Sequence, residues 1–493
     1  MRQSGRRSAA VIGSIILLAA LAPGGAAAGA LPGDAGFRPD ARTASSVLGH
    51  LQRIQQLTDA GGGVRTPGSA GFAGAAGYVK SVLGAAGYQV REHRFTFNYT
   101  EILAARLKIL PDGADQQIQV INYTPSTPVG GIQAPLVVVP VDATTGCEES
   151  DYAGLGAPGS IVLLRRGGCT FTVKQQVAAA AGAAAVIMYN NAPGKIYGSM
   201  SSPTDGLIPV AAVTGELGEQ LAADPPARVE LEAREIIESR ETVNLTADTA
   251  RGDPGDVLVV GAHLDTIPES PGLNDDATGV AAALEYARLA ARAPLKKKLR
   301  FAFWSAEEWG QVGSFEYLAS LPSDELARIK GYLDLAKLGS PNFIRGVLDS
   351  ADVDGSGGAT GPAGSDRLEA ALIGGFTAQR LTWKPVDLGG LASSDWLAFT
   401  DAGIPASGLF SGTEELKTPA EQELFGGVAG RPYDPCHATA CDRVENLNRT
   451  VLRQNVLAAA HAIATLQVAP ATPPPAPARV AATHRTPGPG SLR

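Results

Sequence analysis

From about residue 241 onward, short apolar runs alternate with segments whose apolar residues recur at helical spacing. The runs at 257–262, 299–304, 329–335 and 406–410 predict strands, and the segments 277–292, 314–321, 366–374 and 443–467 predict helices. Alternation of this kind gives an α/β architecture: a mostly parallel, mixed sheet with helices on both faces. Upstream, Val47, Leu48, Leu51, Ile54 and Leu57 mark a helix, with Ser45 or Ser46 as its N-cap. A loop follows at 62–71, then a second helix through Tyr78, Val79 and Leu83, then strands from Tyr88 to about Leu110. Between 118 and 238 the character changes to short strands and small residues, and 469–493 is rich in Pro and Ala, a composition that predicts disorder.

Ligands of such sheets gather at the carboxyl ends of the strands. Those ends carry His263 and Asp265 after the first run and Glu307 and Glu308 after the second, with Asp275 twelve residues beyond His263. Imidazole and carboxylates are costly to bury without a countercharge, so their convergence on buried strand ends points to a metal site.

Composition narrows the setting. A chain of 493 residues, 44% apolar, supports a large core and more than one domain. A net charge of −8 and a single basic run, Lys296–Lys298, which reads as a solvated linker, argue against a nucleic-acid partner. Arg2, Arg6 and Arg7, the apolar stretch Ala9–Leu21 and Ala26–Ala28 follow the order of a secretory signal peptide over 1–28. Its apolar part is short for a bilayer, and no later segment is long enough to span one, so a secreted, extracellular protein with no membrane contact after cleavage is expected. Paired Arg6–Arg7 leaves twin-arginine export open beside the general route. Cys147, Cys169, Cys436 and Cys441 allow three pairings; the one that joins Cys147–Cys169 and Cys436–Cys441 is favoured over the other two and over a four-thiolate zinc site.

The motifs GAHLDT (261–266), PGLNDDATG (271–279), WSAEEWGQVGS (304–314), LGSPN (338–342), SDWLAF (394–399), GIPASGLFSGTEELKT (403–418) and YDPC…CD (433–442) resemble those of the M28 family of zinc aminopeptidases, of the bacterial secreted aminopeptidase S type. The resemblance covers 241–468, extends to 40–117 through RTPGSAGF (65–72), and identifies 118–238 as similar to an inserted, mainly-β protease-associated (PA) domain. It implies the zinc-dependent exopeptidase fold and hydrolysis of the N-terminal bond of peptides or proteins with a free N-terminus. It further implies zinc ligation by His263, Asp275 (bridging) and Glu308, a general base at Glu307, and orientation of His263 by Asp265. A non-proline cis bond is implied between Asp275 and Asp276.

Two implied ligands are missing. Ala336 stands where the family has an Asp, and Ala438 where it has a His, with His437 one residue away as a further candidate. An Arg implied near the substrate amine is Ser393, and Asp334 lies about 6.5 Å further down its strand than the lost Asp. These departures lead to one or two zinc ions weakly held and an impaired aminopeptidase. The alternative is an inactive pseudo-peptidase serving as a peptide- or protein-binding scaffold.

Overall fold

The computed structural model describes residues 37, 39, 41–192, 196, 198–352, 360–388 and 394–468. The expected signal peptide, Ser393 and the 469–493 tail lie outside these residues. Two helices open the described chain, α1 (Ala41–Ala60) and α2 (Ala70–Ala85), and a long strand β1 (Val90–Ile109) follows. A smaller lobe comes next, with β2 (Ile132–Val138), β3 (Ile161–Arg165), α3 (Phe171–Ala180), β4 (Ala185–Tyr189), β5 (Val210–Val213) and α4 (Gly215–Ala223). A second long strand β6 (Arg228–Asp248) returns to the main body. There β7 (Asp253–His263), α5 (Thr278–Ala290), β8 (Lys297–Trp304), α6 (Val312–Ser320), β9 (Ile329–Leu335), β10 (Gly346–Asp349), α7 (Ser365–Ala378), β11 (Lys384–Asp387), β12 (Ala406–Phe410) and α8 (Arg449–Leu466) complete the fold.

The sheet of the main body runs β11-β10-β12-β9-β7-β8-β6. Its centre is parallel: Val260 of β7 faces Phe301 of β8 on one side and Leu333 of β9 on the other, and Leu333 faces Ser407 of β12. Parallel neighbours end together, so the carboxyl ends of β7, β8, β9 and β12 form one edge. Alternate side chains enter opposite cores. Leu258, Val260 and Ala262 of β7 pack with α5 on one face, while Val257 and Val259 pack with Trp304, Tyr332 and Phe399 on the other. Helix α5 is buried on nearly every side from Val280 through Ala287, and its one buried carboxylate, Glu285, is paired with Arg288. Gly279 lets it come close: a Cβ there would meet the Leu335 carbonyl oxygen at 1.8 Å.

The smaller lobe holds a parallel β2–β3–β4–β5 sheet, Cys147–Cys169, and the helices α3 and α4, so it is less purely β than its small-residue sequence implies. It is not joined to the body by loops. β1 and β6 pair antiparallel from Val90 opposite Ala247 to Ile109 opposite Val229. One end of β6 also pairs with β8 of the body (Leu245 opposite Phe303), the other with β2 of the lobe (Val229 opposite Ala134). β6 therefore runs unbroken through the expected boundary at 238. Helix α1 begins at Ala41, upstream of the expected caps; Ser45 and Ser46 lie inside it. Phe37, 2% exposed and in ring contact with Tyr286, anchors the chain before that helix and lets it start early.

Candidate metal and catalytic site

His263 is the last residue of β7, and Asp265 follows it at the sheet edge. Both are fully buried. Asp265 accepts from the backbone N–H of Glu307 and of Glu308, each at 3.2 Å, so its carboxylate fastens the turn after β8. For the His263 Nδ1 the nearer acceptor is the Asp265 carbonyl, at 3.3 Å; the carboxylate Oδ1 is 3.8 Å away. Asp265 thus orients the ring mainly through its backbone, a departure from the side-chain role expected of it. Burial pushes the Asp265 carboxyl up to about 6.

The turn bearing Glu307 and Glu308 holds two non-glycine residues in the left-handed region, Ala306 at φ 58° and Gln311 at φ 56°, a strain that tends to gather at functional sites. Gln311 Nε2 donates to Glu307 Oε1 at 3.2 Å, and Glu307 Oε2 lies 3.7 Å from His263 Nε2. Trp309 leaves this turn to pack on Tyr99 of β1, ring centroids 4.9 Å apart, and donates from Nε1 to the Thr100 carbonyl at 3.0 Å.

Asp275 lies in an irregular turn before α5, joined to Asp276 by a cis peptide bond as the resemblance implies. Three groups position this turn. Arg65, fully buried, donates to the carbonyls of Leu264 at 2.9 Å, Pro271 at 2.5 Å and Gly272 at 2.8 Å. The Asp442 carboxylate accepts from the N–H of Asn274 at 2.8 Å and of Asp275 at 3.1 Å. Asn274 Nδ2 donates to Asp434 at 2.6 Å. Asp434 and Asp442 flank Cys436–Cys441, so the loop carrying His437 is keyed directly to the loop carrying Asp275.

The Asp275 carboxylate is the centre of the cluster. Its Oδ1 is 2.9 Å from His263 Nε2 and 3.1 Å from Lys337 Nζ; its Oδ2 is 2.9 Å from His437 Nε2. His437 reaches in from the position beside Ala438, and Ala438 itself sits at φ 56°. The other ring nitrogen, Nδ1, meets Glu414 Oε2 at 2.7 Å. One donor atom each of His263, Asp275 and Glu308 lie within 4.8 Å of one another. Asp334 is not in this group: its Oδ1 accepts from Tyr332 at 3.0 Å within β9.

Electrostatics agree with a site short of positive charge. Burial, with Asp275 and Glu307 beside it, pushes Glu308 up to about 8. Burial works against ionisation of Asp275 too, yet Lys337, His263 and His437 hold it well below the usual carboxylate range. Burial opposes the charge of Lys337, but Asp275, Glu307 and Glu308 keep it above the ordinary lysine range. A divalent cation fits these donors. Imidazole and carboxylate are the donor types zinc takes, atoms of His263, Asp275 and Glu308 lie within 4.8 Å of one another, and a cation's charge would keep Glu308 ionised.

Sequence reasoning found His263, Asp265, Asp275, Glu307, Glu308 and His437, and the fold brings all six to one sheet edge. It missed Lys337, Glu414, Arg65 and Asp442. Arg65, Glu414 and Asp442 lie inside the motifs at 65–72, 403–418 and 433–442 without a role assigned to them, and the signal at Lys337 was a charged residue directly after the apolar end of β9.

Residues 244–463 match the model of peptidase family M28, and residues 132–221 match that of the PA domain. A probable lipoprotein aminopeptidase, LpqL, of Mycobacterium tuberculosis is 35% identical over 425 residues, covering 85% of this chain and 84% of that protein. An aminopeptidase of Pseudomonas aeruginosa is 35% identical over 433 residues, 84% of this chain and 79% of its own. Among solved structures, the aminopeptidase from Aneurinibacillus sp. strain AM-1 superposes with a TM-score of 0.65 at 25% identity, over 89% of this chain and 96% of that one. BSAP, a zinc aminopeptidase from Bacillus subtilis, gives 0.58 at 25% identity, over 85% and 94%.

Proposed function

The chain belongs to peptidase family M28, and from that premise we propose that it is a zinc-dependent aminopeptidase acting on peptides with a free N-terminus. The observation that carries this reading is the double engagement of Asp275, one imidazole Nε2 at 2.9 Å from each of its oxygens, with Glu308 in the same cluster. His263, Asp275, Glu308 and His437 are the residues that would hold the metal. A zinc ion held there would supply an acidified water and polarise the scissile carbonyl. In this reading Glu307 Oε2, 3.7 Å from His263 Nε2, would take the proton of the attacking water and return it to the leaving amine, while Gln311 steadies the other oxygen. Asp265 fixes the Glu307–Glu308 turn against His263, so base and ligand keep one spacing.

With Ala336 and Ala438 in place of two donors, the metal is held less tightly than by a full ligand set, and activity is correspondingly reduced. Secretion follows from the basic, apolar and small-residue order of 1–28; among the described residues no helix is long and apolar enough to cross a membrane. The PA lobe covers the cleft or meets protein partners.

Hydrolysis of aminoacyl anilides tests the reading. Turnover of free but not N-acetylated substrates, lost to a chelator and restored by zinc, is the expected result. Absence of turnover with excess zinc or cobalt would instead favour the second reading, a non-catalytic peptide-binding scaffold, which the pairing of Lys337 with Asp275 motivates.

A further inference from the structure

Asp275 has two carboxylate oxygens, and the chain treats them differently. At Oδ2 the one close side-chain partner among the described residues is His437 Nε2, a donor that in its neutral form can bind a metal. At Oδ1 there are two partners, His263 Nε2 and the ammonium of Lys337, the latter 3.1 Å away. Lys337 is 7% exposed, so this ammonium is a component of the buried cluster and not a passing surface contact.

Its placement is enforced by the backbone. Lys337 sits at φ 55°, in the left-handed region that costs an ordinary residue on the order of 1 kcal/mol. That conformation is held from both sides. Its N–H donates to Asp276 Oδ1 at 3.2 Å, and its carbonyl accepts from the Ser411 N–H at 3.1 Å and from the Ser411 hydroxyl. Preceding it is Ala336, 5% exposed, which offers no donor atom to an ion. One residue therefore withholds a carboxylate, and the next delivers a fixed positive charge to the same carboxylate oxygen. Two cations cannot share that oxygen without strong repulsion in a low-dielectric site.

We propose that the Lys337 ammonium takes the cation position at Asp275 Oδ1, so that each chain holds a single divalent ion, on the Oδ2 side with His437, while His263, which shares Oδ1 with the ammonium, supports the carboxylate and drops out of the ligand set named above. The proposal rests on the metallopeptidase reading above and specifies its stoichiometry. Lys337 acts as a positioning residue: it compensates the charge of Asp275 with a group that cannot dissociate.

Metal content measures this directly. The full-length protein, stripped with a chelator and titrated with zinc alone, should saturate at one ion per chain by mass spectrometry under native conditions and by elemental analysis. The double variant Ala336→Asp/Lys337→Met should saturate at two, and Lys337→Arg at one. Cobalt absorption, read in parallel, should gain a second set of bands only in the double variant. Two zinc ions on the wild-type chain overturn the proposal and leave the peptidase reading intact, a result that needs no variant to fold. A double variant that is folded by circular dichroism yet stays at one ion also overturns it. No zinc on the wild-type chain, together with no anilide hydrolysis, removes the functional reading and the proposal with it.

Discussion

Glu414 Oε2 stands 2.7 Å from His437 Nδ1, on the side of the ring opposite the Nε2 that meets Asp275. This carboxylate fixes the tautomer and the rotation of an imidazole that enters the site from a neighbouring position in the chain. Glu414→Gln keeps the shape and removes the charge. Zinc affinity should fall about 10–100-fold, measured by competition with a chromophoric chelator, with the fold unchanged by circular dichroism. Unaltered affinity would separate His437 from the metal.

Glu307 is 2% exposed and touches the cluster through His263 and Gln311. Glu307→Gln should lower kcat by about 10²–10⁴-fold while zinc content stays at the wild-type value. A variant that retained its kcat would return Glu307 to a structural role.

Arg65 lies far from the chemistry in sequence but spans the carbonyls of Leu264, Pro271 and Gly272, and its own N–H donates to Thr266 Oγ1 at 2.8 Å. Arg65→Met removes the side-chain donors to the Leu264 and Pro271 carbonyls and one of two donors to Gly272, the other being the Ala277 N–H at 3.2 Å. Loss of about 3 kcal/mol or more in urea unfolding is expected, along with weaker zinc binding, because the same carbonyls set the path of the chain into Asp275.

Glu235 on β6 provides a pH test away from the metal. Burial pushes its carboxyl up to about 8, against the pull of the Thr124 and Tyr123 backbone N–H groups. The folded state thus keeps a proton that the unfolded chain releases near 4.5. Between about pH 4.5 and 8 the unfolded state binds fewer protons, and stability falls with rising pH by up to about 1.4 kcal/mol per unit. Glu235→Gln should remove this slope: its Tm relative to wild type rises steadily from pH 5 to pH 8. A pH-independent difference between the two would place the carboxylate in a wetter setting.

The main body was readable from the chain because its strands are buried on both faces and its helices carry regular apolar spacing; β9 and β12 have the bounds their apolar runs imply. The local cysteine pairs formed as favoured, since each closes one short segment. The long strand β6 was harder to see. Glu235, Glu238, Arg240 and Glu241 interrupt its apolar residues, and only pairing with β1 makes it continuous. The meeting of His263, Asp265, Glu307 and Glu308 was legible because motif spacing places them just at or after the ends of β7 and β8. The partnership of Lys337 with Asp275, and of Glu414 with His437, was not, because each joins side chains from separate loops that meet only once the sheet is assembled.

β1 and β6 belong to both lobes at once, so the PA lobe cannot swing as a door swings. Any displacement of it must wind or unwind a shared two-stranded spine, and Tyr99 on that spine is in ring contact with Trp309 beside the two glutamates. A molecule that grips the outer lobe would therefore act on the Glu307–Glu308 turn as torque acts through a shaft.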